Sequence, residues 1–138
     1  MKKQLFALIG LGLLLATASA YAQTVELKAN IPFNFIVQGE TLPAGEYMIE
    51  KLSSGNSVLA IRSSDQQTQK TVLAIRCESL NASPRSRLLF HRYGDQYFLS
   101  QIWVAGNNSG QQLPKSRRES EVAMDYTVKN VNVVAALR

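Results

Sequence analysis

The 138-residue chain is poor in the residue types that most often carry out chemistry, because it contains one cysteine and one histidine. A lone cysteine excludes an internal disulfide framework, so burial of apolar side chains must hold the fold together. The carboxylates show neither the ligand spacing of a zinc site nor that of a calcium loop, and no glycine-rich phosphate loop precedes a helix. We therefore predict no metal, no cofactor and no catalytic residues.

The single cysteine, Cys77, ends a strand-like run in which Leu73 and Ile75 share its alternation face. Because free cysteine is among the most buried residue types, we predict that Cys77 is a small apolar residue of the core. An odd cysteine in an exported protein has a second interpretation, which is a disulfide between two molecules.

Neither positive nor negative charge strongly dominates the chain, which contains 15 basic and 10 acidic residues. No basic run is long enough to indicate nucleic-acid binding. The small positive excess permits contact with anionic glycans or lipids, and the cluster Lys115, Arg117 and Arg118 is the candidate site for that contact. We favour the other interpretation of the cluster, which is a solvated basic surface that aids solubility.

The one long apolar run lies at the N-terminus. A basic start at Lys2 and Lys3 precedes an apolar stretch over residues 5–16, and small residues follow as far as Ala22. This order predicts a secretory signal peptide over residues 1–22, and the stretch is too short for a membrane-spanning helix. The mature chain, residues 23–138, is then a single β-rich domain without a membrane span, located in the periplasm or outside the cell.

The segment 85–104 predicts a β-hairpin, because two apolar and aromatic runs flank Gly94-Asp95, a pair suited to a two-residue turn. The register that follows places Phe90 opposite Leu99 and Leu88 opposite Gln101. We expect one face of the hairpin in the core and the other covered by a second part of the protein. The predicted core face carries Leu88, Phe90, Arg92, Tyr97, Leu99 and Trp103, and the other carries Arg87, Leu89, His91, Tyr93, Phe98, Ser100, Ile102 and Val104.

Other segments complete a pattern of seven or eight short strands, which predicts an all-β, mainly antiparallel fold, either a small sandwich or a barrel. Ser116 and Glu119 fit a capping box and predict one short helix near the C-terminus, over residues 117–124. Residues 105–112 are polar and glycine-rich, and we predict an exposed loop. Further strands are predicted over residues 24–29, 31–37 and 47–52, over the near-copies 58–62 and 72–76, and in a closing segment of β-branched residues after residue 127.

Residues 29–37 and 42–47, with residues 90–99 and 113–119 downstream, resemble a group of small, uncharacterised secreted proteins of soil bacteria. The resemblance extends over nearly the whole mature chain. No activity or ligand is established for that group. The resemblance therefore implies a secreted β-rich domain and transfers no functional residue to this chain.

Three functions remain open on these observations. We favour an exported, non-enzymatic β-domain that binds an unidentified protein or another component of the cell envelope. The alternative is a carrier of a small ligand, with a barrel cavity lined by Arg87, His91, Tyr93 and Ser100. The third is a hydrolase that uses His91, which would also need a nucleophile, an orienting acid and an oxyanion site.

Overall fold

The computed structural model describes residues 26–52 and 57–137, and the predicted signal peptide lies outside the described residues. The described chain is mainly antiparallel β-structure with one short helix, which confirms the predicted fold class. Its elements are β1 (Glu26–Ile31), β2 (Phe35–Val37), β3 (Glu40–Leu42), β4 (Gly45–Lys51), β5 (Ser57–Ser63), β6 (Gln69–Glu78), β7 (Arg87–Tyr93), β8 (Gln96–Trp103), β9 (Ser109–Gln112), α1 (Arg117–Val122) and β10 (Lys129–Leu137).

Eight strands close into a barrel in the order β8-β7-β10-β1-β4-β5-β6-β9, and β9 pairs back onto β8. Of the two predicted architectures, the barrel is therefore the one observed. The closing segment predicted at the C-terminus is β10, which lies between β1 and β7. Outside the ring, β2 and β3 form a short hairpin, and β2 joins β8 in parallel at Ile36 and Phe98.

An aromatic cluster fills one end of the barrel, which we call the closed end. Phe35 packs edge-on against Tyr47 and Phe90, with ring centroids 5.0 and 5.7 Å apart, and Phe33 stacks on Tyr97 at 3.8 Å. Each large side chain that is fully buried contributes about 1.5–3 kcal/mol or more to the free energy of unfolding. The opposite end, where β4 ends and β5 begins, we call the open end.

The central hairpin has the predicted turn and register, from Tyr93 opposite Gln96 to Phe90 opposite Leu99. Beyond that pair the prediction is wrong, because a β-bulge shifts the register and places Leu88 opposite Ile102. An extra residue in one strand reverses the faces of all residues after it. Ile102 therefore joins the barrel core, whereas Trp103, predicted to lie there, is buried on the outer face of the barrel.

The near-copies form the predicted hairpin, now β5 and β6, but they present opposite residues to the core. Leu59 pairs with Val72, so these two share the interior face, whereas Leu73 and Ile75 point outward and are 68% and 62% exposed. Residues opposite each other in neighbouring strands lie on the same face of the sheet. The second residue of the first copy pairs with the first residue of the second copy, so corresponding residues of the two copies lie on opposite faces. Cys77 follows Ile75 on the outer face and is half-buried, so its predicted place in the core is wrong.

The predicted helix is confirmed as α1, which is shorter than expected and ends at Val122. Ser116 caps it, because its hydroxyl oxygen accepts a hydrogen bond from the backbone N–H of Glu119 at 3.2 Å. The helix packs on the outer face of the barrel, where Val122 and Ala123 contact a small cluster around Phe98. In the described part of the chain, no helix is long and apolar enough to cross a membrane.

Candidate functional site

Two of the predicted site residues, His91 and Tyr93, meet at a buried carboxylate of the helix. Glu119 is 4% exposed, and its Oε2 accepts a hydrogen bond from the Tyr93 hydroxyl at 3.0 Å. The same oxygen lies 3.1 Å from His91 Nδ1, the distance at which an Nδ1–H group donates a hydrogen bond. Glu119 was predicted to complete the capping box, but its side chain turns toward the barrel and fastens α1 to β7.

The hydroxyl of Tyr93 is held in its neutral form by this arrangement. Burial, reinforced by the adjacent Glu119 carboxylate that accepts its hydrogen bond, raises the pKa of Tyr93 from 10.0 to about 12. A phenolate at this position would lose its donor function and would face a carboxylate of the same charge. The cluster of Glu119, Tyr93 and His91 therefore serves as a helix anchor, and we use that name for it below.

The raised pKa of Tyr93 predicts a loss of stability at high pH. Above pH 10 the unfolded chain releases the Tyr93 proton while the folded protein keeps it until about pH 12, so the free energy of unfolding falls as the pH rises through this window. We expect a loss on the order of 2 kcal/mol in urea titrations. The Tyr93→Phe variant should show a shallower decline, and identical declines in the two proteins would contradict the prediction.

The four residues predicted to line a barrel cavity do not share one. His91 and Tyr93 face α1 on the outside of the barrel. Arg87 also lies on the outer face, where its guanidinium donates to Asn132 at 2.7 Å and covers the ring of Trp103 at 5.5 Å. Ser100 is buried at the β-bulge, and its carbonyl accepts from the Leu113 backbone N–H at 2.8 Å. The expected lining was wrong because the second hairpin face is the outside of the barrel.

The predicted anionic-surface residues Lys115, Arg117 and Arg118 lie at the start of α1, and all three are exposed. Arg117 Nε is 3.3 Å from an oxygen of Glu121, one helical turn away. A pair at this exposure contributes little to stability. Contact of the cluster with an anionic glycan or lipid surface stays a prediction.

A cavity opens at the open end of the barrel, and no pattern in the sequence indicates it directly. Its volume is about 230 Å³. The floor consists of interior side chains from β1, β4, β5 and β8, and the rim comes from the ends of β4, β8 and β9. The lining residues are Leu27, Ile49, Lys51, Leu59, Ile102, Val104, Asn107, Ser109, Gly110 and Gln111.

The polar groups of this cavity are sparse and specifically placed. Gln111 lies opposite Ile102 in the ladder between β8 and β9, which puts both side chains on the interior face. The Gln111 Oε1 atom is buried and has no hydrogen-bond partner in the described part of the protein. Of the described residues that line the cavity, only Lys51 carries a charge, and it is exposed at the rim. The described part of the cavity thus combines mainly apolar walls with one positive charge at the rim.

Residues 109–112 were predicted to belong to an exposed loop, and that prediction is wrong. They form β9, which pairs with β6 on one side and with β8 on the other and so closes the barrel. The strand has no apolar side chain that could produce a strand pattern. β9 can lie beside β8 because Gly110 has no side chain where it contacts the Trp103 ring. A glycine between polar residues was therefore the only available signal for this element.

No protein-family model matches this chain, and comparisons with curated proteins and with solved structures likewise give no match. Within residues 26–52 and 57–137, no three side chains of His, Cys, Asp or Glu are grouped so that they could hold a metal ion.

Proposed function

We propose that this chain is an exported, non-enzymatic barrel protein that binds a small, mainly apolar ligand in its open-end cavity. The observation that carries this proposal is the composition of the cavity. Core residues such as Leu59 and Ile102 form its walls, and few polar groups line it. Ligand sites in proteins share this composition, and the mouth of a small β-barrel is a common location for them. The leader-like N-terminus supports export.

The size of the cavity limits its occupant to a small molecule. A cavity of about 150 Å³ with apolar walls is enough for benzene, and drug-sized ligands occupy roughly 300–1,000 Å³. A volume of about 230 Å³ lies between these values and suits a molecule with one ring or a short chain. The closed end holds the Phe33, Phe35 and Phe90 rings, so the ligand is expected to enter from the open end only.

The helix anchor supports a structural role for His91 in this proposal. Glu119 contacts His91 Nδ1, as the orienting carboxylate of a catalytic triad does. The same carboxylate also accepts a hydrogen bond from the Tyr93 hydroxyl, and it is enclosed between α1 and β7. Within the described chain, the polar and ring contacts of His91 are with Glu119 and Tyr93, and none is with a serine, threonine or cysteine. A hydrolase would need such a nucleophile within hydrogen-bond reach.

Filling the cavity is expected to weaken ligand binding strongly. The Ile49→Phe variant places a ring where the ligand would lie, and we expect its affinity for 4-methylphenol to fall roughly tenfold or more below that of the wild type in isothermal titration calorimetry. The Leu73→Phe variant is the matched control, because it adds the same ring at a residue that is 68% exposed on the outer face. Failure of the wild type to bind, or equal binding by Ile49→Phe, would contradict the proposal.

A further inference from the structure

We infer that the open end of the barrel docks onto an anionic lipid bilayer. The inference goes beyond the proposed function, because docking requires no ligand in the cavity. Three exposed leucines at this end carry it, together with two exposed basic residues. We call Leu52, Leu80 and Leu137 the mouth leucines.

The mouth leucines are exposed although leucine is among the residue types most often buried. Leu52 and Leu137 are 52% and 53% exposed, and Leu80 is fully exposed. A single exposed leucine is ordinary, but several around one opening form an apolar rim. Exposed apolar surface that polar residues border marks a contact with a membrane or with another protein.

Two of the mouth leucines are neighbours of residues that line the cavity. Leu52 directly follows the lining residue Lys51 at the end of β4. Leu137, at the end of β10, pairs with the lining residue Leu27 and so lies on the interior face of the barrel. Leu27 is buried whereas Leu137 is half exposed, which places Leu137 at the opening.

The third mouth leucine lies beside the turn between β8 and β9. Leu80 follows Ser79, whose backbone N–H donates to the carbonyl of Asn108 at 2.7 Å. Residues 107 and 109, on either side of Asn108, line the cavity. In the ring, β1 separates β10 from β4, and β5 separates β4 from β6. The three leucines therefore follow one arc of the opening.

Positive charge accompanies the apolar arc. Lys51 at the end of β4 and Arg85 just before β7 are both exposed, and neither forms an ion pair in the described part of the chain. Two carboxylates of this end are already engaged by arginines of the same chain. The pairs are Glu50 with Arg62 and Glu78 with Arg76. Lys51 and Arg85 are therefore available to an anionic partner.

This combination favours a bilayer over other anionic partners. An anionic glycan offers charge but no apolar layer for the leucines. A bilayer presents anionic head groups above an apolar interior, so Lys51 and Arg85 contact head groups while the mouth leucines enter the boundary below them. For the ligand binding proposed above, docking would let an apolar molecule pass between the bilayer and the cavity without crossing water.

Co-sedimentation with lipid vesicles tests the inference on the mature chain, residues 23–138, so that the predicted leader does not itself bind lipid. We expect the wild type to bind vesicles of phosphatidylcholine with about 25% phosphatidylglycerol. Binding to phosphatidylcholine alone should be roughly tenfold weaker or more, since each basic residue near an anionic surface contributes about fivefold. Lys51→Glu with Arg85→Glu should cause a similar loss on the anionic vesicles.

Two triple variants separate the mouth from other exposed apolar surface. Serine at all three mouth leucines should weaken binding to the anionic vesicles about tenfold or more. The matched control places serine at Leu73, Ile75 and Met124, which are exposed on the barrel wall and behind α1, and it should bind as the wild type does. Since all six side chains are exposed, both variants should unfold near the wild-type temperature.

A gain of signal guards against loss of binding through misfolding. In Leu80→Trp, the new indole should enter the head-group region, so its fluorescence should shift to shorter wavelength when anionic vesicles are added. Met124→Trp is the control and should show no shift. The native Trp103 is buried in both variants and provides a constant background.

The inference is overturned if the wild type does not bind the anionic vesicles, or if the two triple variants lose binding equally. It is also overturned if Lys115→Glu with Arg118→Glu abolishes binding while Lys51→Glu with Arg85→Glu does not, because the lipid contact would then lie at α1. Calorimetry with 4-methylphenol in the absence of vesicles tests the proposed function separately.

Discussion

Replacement of Glu119 by alanine is expected to lower the free energy of unfolding by about 3 kcal/mol, the sum of two losses. The first is the pair of hydrogen bonds that the carboxylate accepts at 3.0 Å from Tyr93 and at 3.1 Å from His91. The second is the penalty for leaving the buried Tyr93 hydroxyl without an acceptor. Because Glu119 is a polar link between α1 and the barrel, the helix should separate from β7 and become sensitive to proteases.

Urea denaturation measures this loss, and two further variants make it specific. Glu121→Ala changes an exposed glutamate of the same helix, which forms an ion pair with the exposed Arg117, and should alter stability by less than about 0.5 kcal/mol. Glu119→Gln retains one acceptor and should fall between the wild type and Glu119→Ala. Equal losses in Glu119→Ala and Glu121→Ala would show that the buried anchor does not hold the helix.

Introduction of a side chain at Gly110 is expected to be the second most damaging change. A Cβ atom there would lie 2.8 Å from ring atoms of Trp103 and 2.8 Å from the carbonyl oxygen of Ile102, closer than a Cβ approaches such atoms in folded proteins. Trp103 is 4% exposed and has little room to move away. Overpacking of this kind costs about 1–3 kcal/mol and sometimes more, and we expect Gly110→Val to reach the upper end of that range.

The same substitution also tests how the barrel is closed. β9 is the strand that joins β6 to β8, so a displaced β9 opens the ring and distorts the cavity rim. We therefore expect Gly110→Val to lose ligand binding together with stability in thermal unfolding. The control is Gln112→Val, two residues along the same strand at an exposed residue, where a β-branched side chain is well tolerated. If both variants unfold at the same temperature, the contact between Gly110 and Trp103 is not decisive.

Most strands could be predicted from the sequence because apolar and polar residues alternate with a period of two along a strand, and because turns depend on the few residues that form them. Gly94-Asp95 specified the hairpin register correctly as far as Phe90 opposite Leu99. The bulge beyond it could not be predicted, since an extra residue leaves no mark in the alternation of an apolar strand. The extra residue places Ile102 in the core and Trp103 on the outer face, which is the reverse of the prediction.

The candidate site was only partly readable. His91 and Tyr93 were correctly placed on one face, but their partner Glu119 is 26 residues from Tyr93 in sequence and matched a local capping motif equally well. Local chemistry could not show which of the two roles its side chain takes. Gln111 was missed for the opposite reason, because a polar residue beside glycine resembles a loop until the closure of the barrel turns it inward.

Methyl NMR during a titration with 4-methylphenol tests most directly whether a small ligand occupies the open end of the barrel. We predict that the methyl resonances of Leu27, Ile49, Leu59 and Ile102 shift in a saturable manner, because these side chains line the cavity. The methyl resonances of Leu73 and Ile75, which lie on the outer face, should not change. Shifts confined to Leu73 and Ile75, or no saturable shift at the cavity residues, would contradict ligand binding at the open end.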